Sequence, residues 1–247
     1  MHRLALLGMA LSTSLLGADA SIRSVVIVSA NAEWRVVREL FPKATMQRSP
    51  YGEFFLQDIA GRRAVVLQGG WGKIDAAASA QYAIDRWRPS TIFNLGTCGG
   101  MAGRVNRHEV ILAERTVVYD IVEMMGDSAE AIREYSTEID LAWVGPKPPS
   151  AVKRSTLVSA DRDLAPADIS KLVRLYGAVA ADWESGAIAR VAKRNGKRVV
   201  ILRGVSDLVG ASTGEAYGKP GVFEQGTGIV MRKLFAALPA WLTLATH

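Results

Sequence analysis

The sequence of 247 residues holds one cysteine, three histidines and nine prolines. A single cysteine cannot form an internal disulfide, so disulfide-stapled folds are excluded. The histidines are scattered and no HExxH or CxxC spacing occurs, so no metal site is predicted. No GxGxxG follows a strand, and GGWGK at 69–73 lacks the Ser or Thr and the upstream spacing of a P-loop. The sequence therefore predicts neither a metal nor a nucleotide cofactor.

The overall composition is that of a globular chain, with 49% hydrophobic and 22% charged residues. The length allows one domain or at most two. The formal net charge of +6 suits anionic small molecules, a membrane face or nucleic acid equally well. No basic stripe with interleaved aromatic residues is present, so nucleic-acid binding is not predicted. The cations at positions 193, 194, 197 and 198 flank a predicted helix end, and we interpret them as a solvated face.

The first twenty residues differ from the rest of the chain. Early positive charge is followed by an apolar run at 4–17 and by Ala18-Asp19-Ala20, a small-x-small pattern that signal peptidases cleave. We interpret residues 1–20 as a signal peptide cleaved after Ala20, and residues 21–247 as one exported domain, periplasmic or secreted. After cleavage no stable membrane association is expected. The alternative is an uncleaved membrane anchor or a helix packed on the domain.

Beyond residue 21, short β-branched runs alternate with longer amphipathic stretches, which is typical of an α/β domain with a largely parallel sheet. Residues 121–150 lose this pattern, and we interpret them as an excursion from the domain. Strands are predicted at 24–29, 53–58, 62–68, 91–95, 109–119 (one or two strands), 155–159, 177–181 and 198–205. Helices are predicted at 33–41, 74–87, 166–175, 185–195 and 226–244.

Acidic residues and glycines follow the ends of several predicted strands. Glu33 follows the first strand, while Glu184 and Asp207 lie 23 residues apart, with one helix and one strand between them. In open α/β sheets, ligands bind at the carboxyl ends of the strands. Each acid taken alone is explained by a helix first turn or a cap, but the three together favour an acid–base site. Cys98 is interpreted as a small buried thiol rather than a nucleophile.

Five ordered motifs carry a family resemblance. They are SANAEW (29–34), GGWGKIDAAASA (69–80), NLGTCGG (94–100), ADWESGAIARVA (181–192) and VILRGVSDLV (200–209). Together they resemble the nucleoside phosphorylase superfamily, most closely its hydrolase branch, the methylthioadenosine/S-adenosylhomocysteine nucleosidases. The resemblance implies a three-layer α/β fold with a mixed, largely parallel central sheet flanked by helices. It also implies an N-ribosyl hydrolase that uses no cofactor and forms a homodimer.

The resemblance also assigns roles to single residues. Glu33 takes the place of the base that activates water, although an ungapped match would set Trp34 there instead. Glu184 takes the place of the acid that holds the ribose 2′- and 3′-hydroxyls. Asp207, supported by Ser206, takes the place of the acid that protonates the purine at N7. Such a set suits glycosidic cleavage through an oxocarbenium-like state.

Further substrate contacts are expected from the glycine-rich segment and its neighbours. Thr97 and Gly99 lie in a backbone-approach segment predicted to follow the strand at 91–95. Trp183 stands where the family has a Met against the ribose, with core packing as an equal alternative. Asp163 and Leu164 end the segment at 159–164, where the family reads SGDxF. Asp163 replaces the stacking ring and is expected to hydrogen-bond a base edge, unless the local alignment is shifted.

Two alternatives to hydrolysis remain open at this point. No cation precedes Gly96, where phosphorylase relatives hold phosphate with an arginine, so water is the expected nucleophile. Arg35, Arg38 and Lys73 lie close enough in sequence to the same segments to keep a phosphate-dependent phosphorylase open. The other alternative is a catalytically inactive, exported nucleoside-binding protein.

Overall fold

The computed structural model describes residues 22–245, so the predicted signal peptide lies outside the described residues. Within this range the strands are β1 Ser24–Val28, β2 Gln47–Ser49, β3 Gly52–Ile59, β4 Arg62–Gln68, β5 Thr91–Met101, β6 Val110–Val118, β7 Ser136–Glu138, β8 Lys153–Ser159, β9 Ala180–Asp182 and β10 Arg198–Val209. The helices are α1 Asn31–Leu40, α2 Gly72–Trp87, α3 Ser128–Glu134, α4 Pro166–Tyr176, α5 Ser185–Arg194 and α6 Pro220–Leu244, with a 3₁₀ turn at Ala142–Val144.

All ten described strands belong to one mixed sheet in the order β10-β6-β8-β9-β5-β1-β4-β3-β2, with β7 beside β6. β1 pairs in parallel with β4 and β5, and β5 pairs in parallel with β10. Because β10 also pairs with β6, strands β5, β9, β8, β6 and β10 close into a ring. The predicted α/β class with a mixed sheet is confirmed.

The core lies on both faces of the central strands. All five residues of β1 are buried, as expected for a parallel strand covered on both sides. α1 packs against α6, and α2 packs against α5, which gives a helix layer on each face of the sheet. In the described part of the chain, no helix is long and apolar enough to cross a membrane.

The glycine-rich segment after Leu95 is not the predicted turn. β5 continues through it to Met101, and Gly96, like its neighbours, is part of the extended strand. At Gly96 and Gly100 a glycine is required because neighbouring side chains fill the space of a Cβ atom, whereas a Cβ at Gly99 would meet nothing closer than 3.6 Å. At Gly100 such an atom would lie 2.6 Å from Val205 Cγ1. These two glycines therefore serve close packing between strands rather than a change of chain direction.

Three other predicted boundaries were also wrong. β10 extends four residues beyond the predicted end at 205, with a register shift against β5 between Val205 and Asp207. α6 begins at Pro220 rather than at 226, because a proline is well tolerated in the first turn of a helix. Gly177 does not start a strand but ends α4 in the left-handed conformation, with φ of 65°.

Candidate active site

A cavity of about 350 Å³ lies at the carboxyl end of the central strands, between the last residues of β5 and β10 and the segments that follow β1 and β9. Every residue predicted for the site contributes to its wall. These residues are Glu33, Thr97, Gly99, Asp163, Leu164, Trp183, Glu184, Ser206 and Asp207. The structure therefore brings all of the predicted site residues to one cavity, and their roles in binding or catalysis stay predictions.

Arg203 forms the centre of the cavity floor and is only 1% exposed. Its guanidinium lies 2.8 Å from the Asp182 carboxylate, 3.3 Å from that of Glu184 and 3.7 Å from that of Glu33. It also donates hydrogen bonds to the Asn94 side chain at 2.9 Å. A buried charge is tolerated only when it is paired and hydrogen-bonded. One arginine thus neutralises part of a group of three buried carboxylates.

Glu33 is buried in the first turn of α1, just beyond β1. Its Oε1 accepts hydrogen bonds from the Thr97 amide at 2.6 Å and from the Thr97 hydroxyl at 2.8 Å. Its Oε2 accepts the Ala30 amide at 3.2 Å. Trp34 instead lies in the core and donates to Glu53 at 2.9 Å. Glu33, not Trp34, is therefore the residue of this segment that faces the cavity.

Glu184 lies where two helices begin. It is the N-cap residue of α5, and its Oε1 accepts the Gly72 amide of α2 at 3.3 Å. Burial raises the pKa of Glu184 to about 8, against the lowering effect of Arg203, and the charges of Asp182 and Glu33 raise it further. At neutral pH the free protein therefore holds a proton on Glu184.

This shifted pKa predicts a pH dependence of stability. In the unfolded chain the Glu184 carboxyl loses its proton near 4.5, whereas in the folded protein it keeps it up to about 8. The folded state binds more protons in this window, so the free energy of unfolding falls as pH rises from about 4.5 to 8 and then levels. Thermal unfolding of the protein and of Glu184→Gln should show the difference in Tm changing across this window. A difference that stays constant with pH would contradict the assignment.

Asp207 lies at the register shift of β10, which brings its side chain to the cavity beside Ser206. The Ser206 hydroxyl donates to Asp207 Oδ1 at 2.6 Å. Burial raises the pKa of Asp207, and this hydrogen bond partly opposes the increase. α6 supports the same strand closely, since a Cβ on Gly226 would lie 2.2 Å from the Ser206 carbonyl oxygen.

Gly96 is predicted to tolerate no side chain. A Cβ at this position would lie 2.2 Å from Arg203 Nη1 and 2.8 Å from Glu33 Oε1, and both side chains are held by buried hydrogen bonds. We expect Gly96→Ala to lower the free energy of unfolding by about 1–3 kcal/mol, the usual cost of overpacking. Gly228→Ala is the control, because nothing lies within 4 Å of the added atom there. Urea denaturation of both variants tests this, and equal stability of the two would refute it.

The mouth of the cavity is formed by aromatic side chains from separate segments. The rings of Trp71 and Trp183 stack with their centroids 4.9 Å apart, and Trp71 is 63% exposed. The Tyr217 hydroxyl donates to the Leu164 carbonyl oxygen. Burial and the charges of Asp163 and Asp207 raise the pKa of Tyr217 to about 12, so it remains a donor. Trp183 therefore belongs to the cavity wall rather than to the core alone.

The three cations that kept a phosphate site open lie elsewhere. Arg35 pairs with Glu224 at 3.2 Å, and Arg38 pairs with Glu53 at 3.2 Å, both on the exposed surface. Lys73 pairs with Asp120 and lies 3.7 Å from Asp161. None of the three lines the cavity, whose described wall contains only two cations, Arg162 and Arg203.

The described residues show no metal site and one unreactive thiol. Among residues 22–245, no group of three or more His, Cys, Asp or Glu residues is arranged to hold a metal ion. Cys98 is buried, and desolvation raises the pKa of its thiol well above the ordinary value. A neutral buried thiol is a poor nucleophile.

Sequence reasoning did not identify Arg203 or the role of Asp182. A signal for Arg203 was present, since it is a cation in the middle of the otherwise apolar run VVILRGV at 199–205. A charge at the centre of a buried strand requires buried partners, and the strand-end acids supply them. Trp71 and Tyr217 had no comparable signal, because segments outside the strands bring them to the cavity.

Comparison with known proteins agrees with this architecture. Residues 24–226 match the family model described as the phosphorylase superfamily. The 5′-methylthioadenosine/S-adenosylhomocysteine nucleosidase of Thermotoga maritima is 27% identical over 170 residues, which cover 67% of this chain and 76% of that protein.

Solved structures resemble the fold at lower sequence identity. The Streptococcus pneumoniae MTA/SAH nucleosidase in complex with 8-aminoadenine aligns with a TM-score of 0.70 and 16% identity, over 89% of this chain and 98% of its own. The Neisseria meningitidis 5′-methylthioadenosine/S-adenosylhomocysteine nucleosidase, in complex with methylthio-immucillin-A, aligns with a TM-score of 0.68 and 17% identity. This alignment covers 91% of the present chain and 98% of the Neisseria chain. At such identities the likeness extends to the fold alone.

Proposed function

Because the chain belongs to the phosphorylase superfamily, in which the nucleosidases cleave nucleosides, we propose that it hydrolyses the N-glycosidic bond of a purine nucleoside of the methylthioadenosine/S-adenosylhomocysteine type. The products are the free base and the ribose moiety. The observation that carries the proposal is the group of carboxylates in the cavity, with Asp207 on one side and Glu33 and Glu184 around Arg203.

In the proposed reaction, Glu33 acts on the attacking water. Its Oε1 is held by Thr97, and its Oε2 accepts only one hydrogen bond, from Ala30. Oε2 therefore retains acceptor capacity toward a water molecule in the cavity. The water oxygen forms the new bond to C1′ of the ribose, and one water proton passes to the carboxylate. A positioned general base of this kind contributes typically about 10²–10⁴-fold to the rate.

Glu184 and Asp207 act on the two halves of the substrate. Glu184 accepts hydrogen bonds from the ribose hydroxyls and, when ionised, stabilises the positive charge that develops on the sugar. Asp207, whose pKa is raised by burial, donates its proton to N7 as the C1′–N9 bond breaks and the electron pair moves onto the base. The departing purine therefore leaves as a neutral molecule. Asp207 has lost one proton and Glu33 has gained one from water, so the total charge of the site is unchanged.

The charge of the cavity wall supports water rather than phosphate as the nucleophile. Five carboxylates line the cavity, those of Glu33, Asp163, Asp182, Glu184 and Asp207. Arg203 is already engaged by three of them, and Arg162 pairs with Asp168 at 2.7 Å. A phosphate dianion would meet net negative charge and no unpaired cation in this wall, whereas neutral water meets acceptors suited to it.

The base is proposed to lie between Asp207 and the segment of Asp163 and Leu164. Asp163 is exposed to the cavity, and its carboxylate, which accepts hydrogen bonds, suits an N–H group on the edge of a purine. The Leu164 carbonyl is already occupied by the Tyr217 hydroxyl. Base selection therefore falls mainly to Asp163 in this proposal.

Chromatographic detection of free base tests the proposed activity. The protein from Ser21 onward is incubated with methylthioadenosine, adenosine, inosine and guanosine, each with and without phosphate. We expect release of base at the same rate in both conditions, with ribose rather than ribose phosphate as the other product. Release only with phosphate would replace hydrolysis by phosphorolysis, and tight binding without release from any nucleoside would indicate a binding protein.

We also propose that the protein is exported and cleaved after Ala20, on the pattern of residues 1–20. Mass spectrometry of the protein recovered outside the cytoplasm of an expressing bacterium should give a chain that begins at Ser21. Ala18→Arg should block cleavage, because signal peptidase requires a small residue there. Recovery of the uncleaved chain from the unchanged sequence would support a membrane anchor instead.

A further inference from the structure

Opposite the cavity, the amino-terminal edge of the central strands carries many cations, which we call the basic edge. It comprises Arg23, Arg63, Arg86, Arg88, Lys193, Arg194, Lys197 and Arg198. Lys197 is half-buried and the others are exposed. The cluster combines residues that sequence analysis explained as the solvated end of a single helix with residues from three other segments.

Backbone pairing brings the strand residues of the basic edge together. The amides of Ser90 and Thr91 donate to the Arg23 carbonyl oxygen at 3.0 and 3.2 Å, and the Arg198 amide donates to the Ser90 carbonyl at 3.2 Å. In the sheet register, Ser24 lies opposite both Ala64 and Thr91. The residues just before these positions, among them Arg23 and Arg63, therefore form one row across the edge.

The helix ends extend this row to a wider surface. α2 ends at Trp87 with Arg88 as its C-cap, and α5 ends at Arg194. The side-chain amide of Asn195, the C-cap of α5, donates to Gln81 within α2 at 2.8 Å, and the segments that follow the two helices meet where the Arg198 amide donates to Ser90. Cations at a helix C-terminus stabilise that helix through its dipole, which explains a few such residues on one helix. Here two helix ends and three strand starts place cations on the same face.

Few acids balance the basic edge. Arg63 aside, none of its cations forms an ion pair with an acid of residues 22–245. Asp58 lies opposite Arg63 in the sheet, and Asp85 accepts from Gln81 on α2. Glu134, near the end of α5, is engaged by Arg190. The face is therefore strongly positive, whereas the cavity at the other edge is lined by carboxylates.

We propose that the basic edge docks the protein on an anionic lipid bilayer through the headgroup phosphates. Clustered Lys and Arg residues are attracted to such surfaces additively, and the attraction weakens with salt. Contact at this edge leaves the cavity open to the solution. The association is reversible and electrostatic, so it differs from the stable insertion that an apolar segment would give.

A bilayer is favoured over nucleic acid by the course of the chain. Arg23 follows shortly after the apolar run at 4–17, which the proposed export would bring into a membrane before cleavage after Ala20. The basic edge is therefore the part of the domain that would lie next to the lipid headgroups when the mature chain is released. Trp87 is buried beneath this edge, and Trp143, whose ring lies 5.2 Å from the Arg198 guanidinium, is half-buried. The described residues of the edge therefore present no exposed aromatic ring on which single-stranded nucleic acid could stack.

Vesicle co-sedimentation tests the proposal without the apolar segment. The protein is used from Ser21 onward, the first residue after the proposed cleavage. This form keeps all of the residues that match the superfamily, since the match begins at residue 24. Binding is measured to vesicles of phosphatidylcholine alone and to equal mixtures with phosphatidylglycerol, at low and at physiological salt. The test variant is Arg23→Gln/Arg88→Gln/Arg194→Gln. The control is Arg104→Gln/Lys171→Gln/Lys219→Gln, which removes the same charge from exposed positions outside the basic edge.

We expect the unchanged protein to bind only the anionic vesicles and to lose binding as salt is raised. The test variant should bind at least about tenfold more weakly than the control, since each cation near the surface contributes to the attraction. Matching melting temperatures of the two variants verify that both are folded. Equal binding by both variants, or binding independent of lipid charge, would overturn the proposal. Binding of a short DNA duplex in preference to the anionic vesicles would overturn it in favour of a nucleic-acid surface.

Discussion

Replacing Asp207 by Asn is expected to lower kcat by about three orders of magnitude, within the range of general acid catalysis. The amide keeps the size of the side chain and the neighbourhood of Ser206, but it has no acidic proton to give to N7. The free energy of unfolding should change little, because Asp207 forms no ion pair in the described structure and the Asn side-chain oxygen can still accept the hydrogen bond from Ser206. Steady-state kinetics with the best nucleoside of the panel measures the effect.

Two controls separate loss of the proton from loss of binding. Glu39→Gln removes a carboxylate that pairs with Arg232 on the exposed surface, away from the cavity wall, and should keep the rate within about twofold, as a surface ion pair contributes little. A riboside whose leaving group departs without protonation should be far less affected by Asp207→Asn. In the unchanged enzyme kcat/KM should fall at high pH as Asp207 loses its proton, and this decline should vanish in the variant. A variant that keeps a tenth of the activity or more would remove Asp207 from this role.

Replacing Arg203 by Met is expected to destabilise the protein by about 3–5 kcal/mol, the usual cost of removing one partner of a buried ion pair. The Asp182, Glu184 and Glu33 carboxylates would then be buried together with no cation between them. The loss should be smaller at acid pH, where the carboxylates take up protons. Activity should disappear as well, since two of these carboxylates belong to the proposed reaction.

The matched control for Arg203 is Arg232→Met. Arg232 pairs with Glu39, and both side chains are more than half exposed, at 54% and 59%. Such a pair contributes about 0–1 kcal/mol. Urea denaturation at pH 5 and pH 8 compares the two variants, and an equal effect of both would show that Arg203 does not hold the carboxylates together. A near-normal stability of Arg203→Met at pH 8 would have the same meaning.

The convergence of the candidate acids could be predicted from the sequence more accurately than the ends of the strands. Glu33, Glu184 and Asp207 could be placed together because parallel strands end at one edge of a sheet, which requires only the order of the elements. The ends of β5 and β10 could not be predicted in this way. In β5, Gly96 and its neighbours have the composition of a turn, although they continue the strand. Only the neighbouring strands show why a Cβ is excluded there.

Arg203 illustrates a different limit of the sequence. Its position in an apolar run shows that it needs acidic partners, but which acids face it depends on the relative rotation of β10, β9 and α1. The stacking of Trp71 on Trp183 is equally hidden, because it joins positions more than a hundred residues apart through segments outside regular strands. Such contacts arise from tertiary packing and leave no local pattern.

The margins of the sheet have a consequence for the way in which separate molecules of the protein can associate. β2, at the end of the strand order, and β7, beside β6, are only three residues long and carry Arg48 and Glu138. Short, charged margins offer poor templates for the strands of another molecule. Closure of the ring between β10 and β5 also pairs two of the longest apolar strands with each other. The fold therefore resists aggregation by strand addition once these two strands have met.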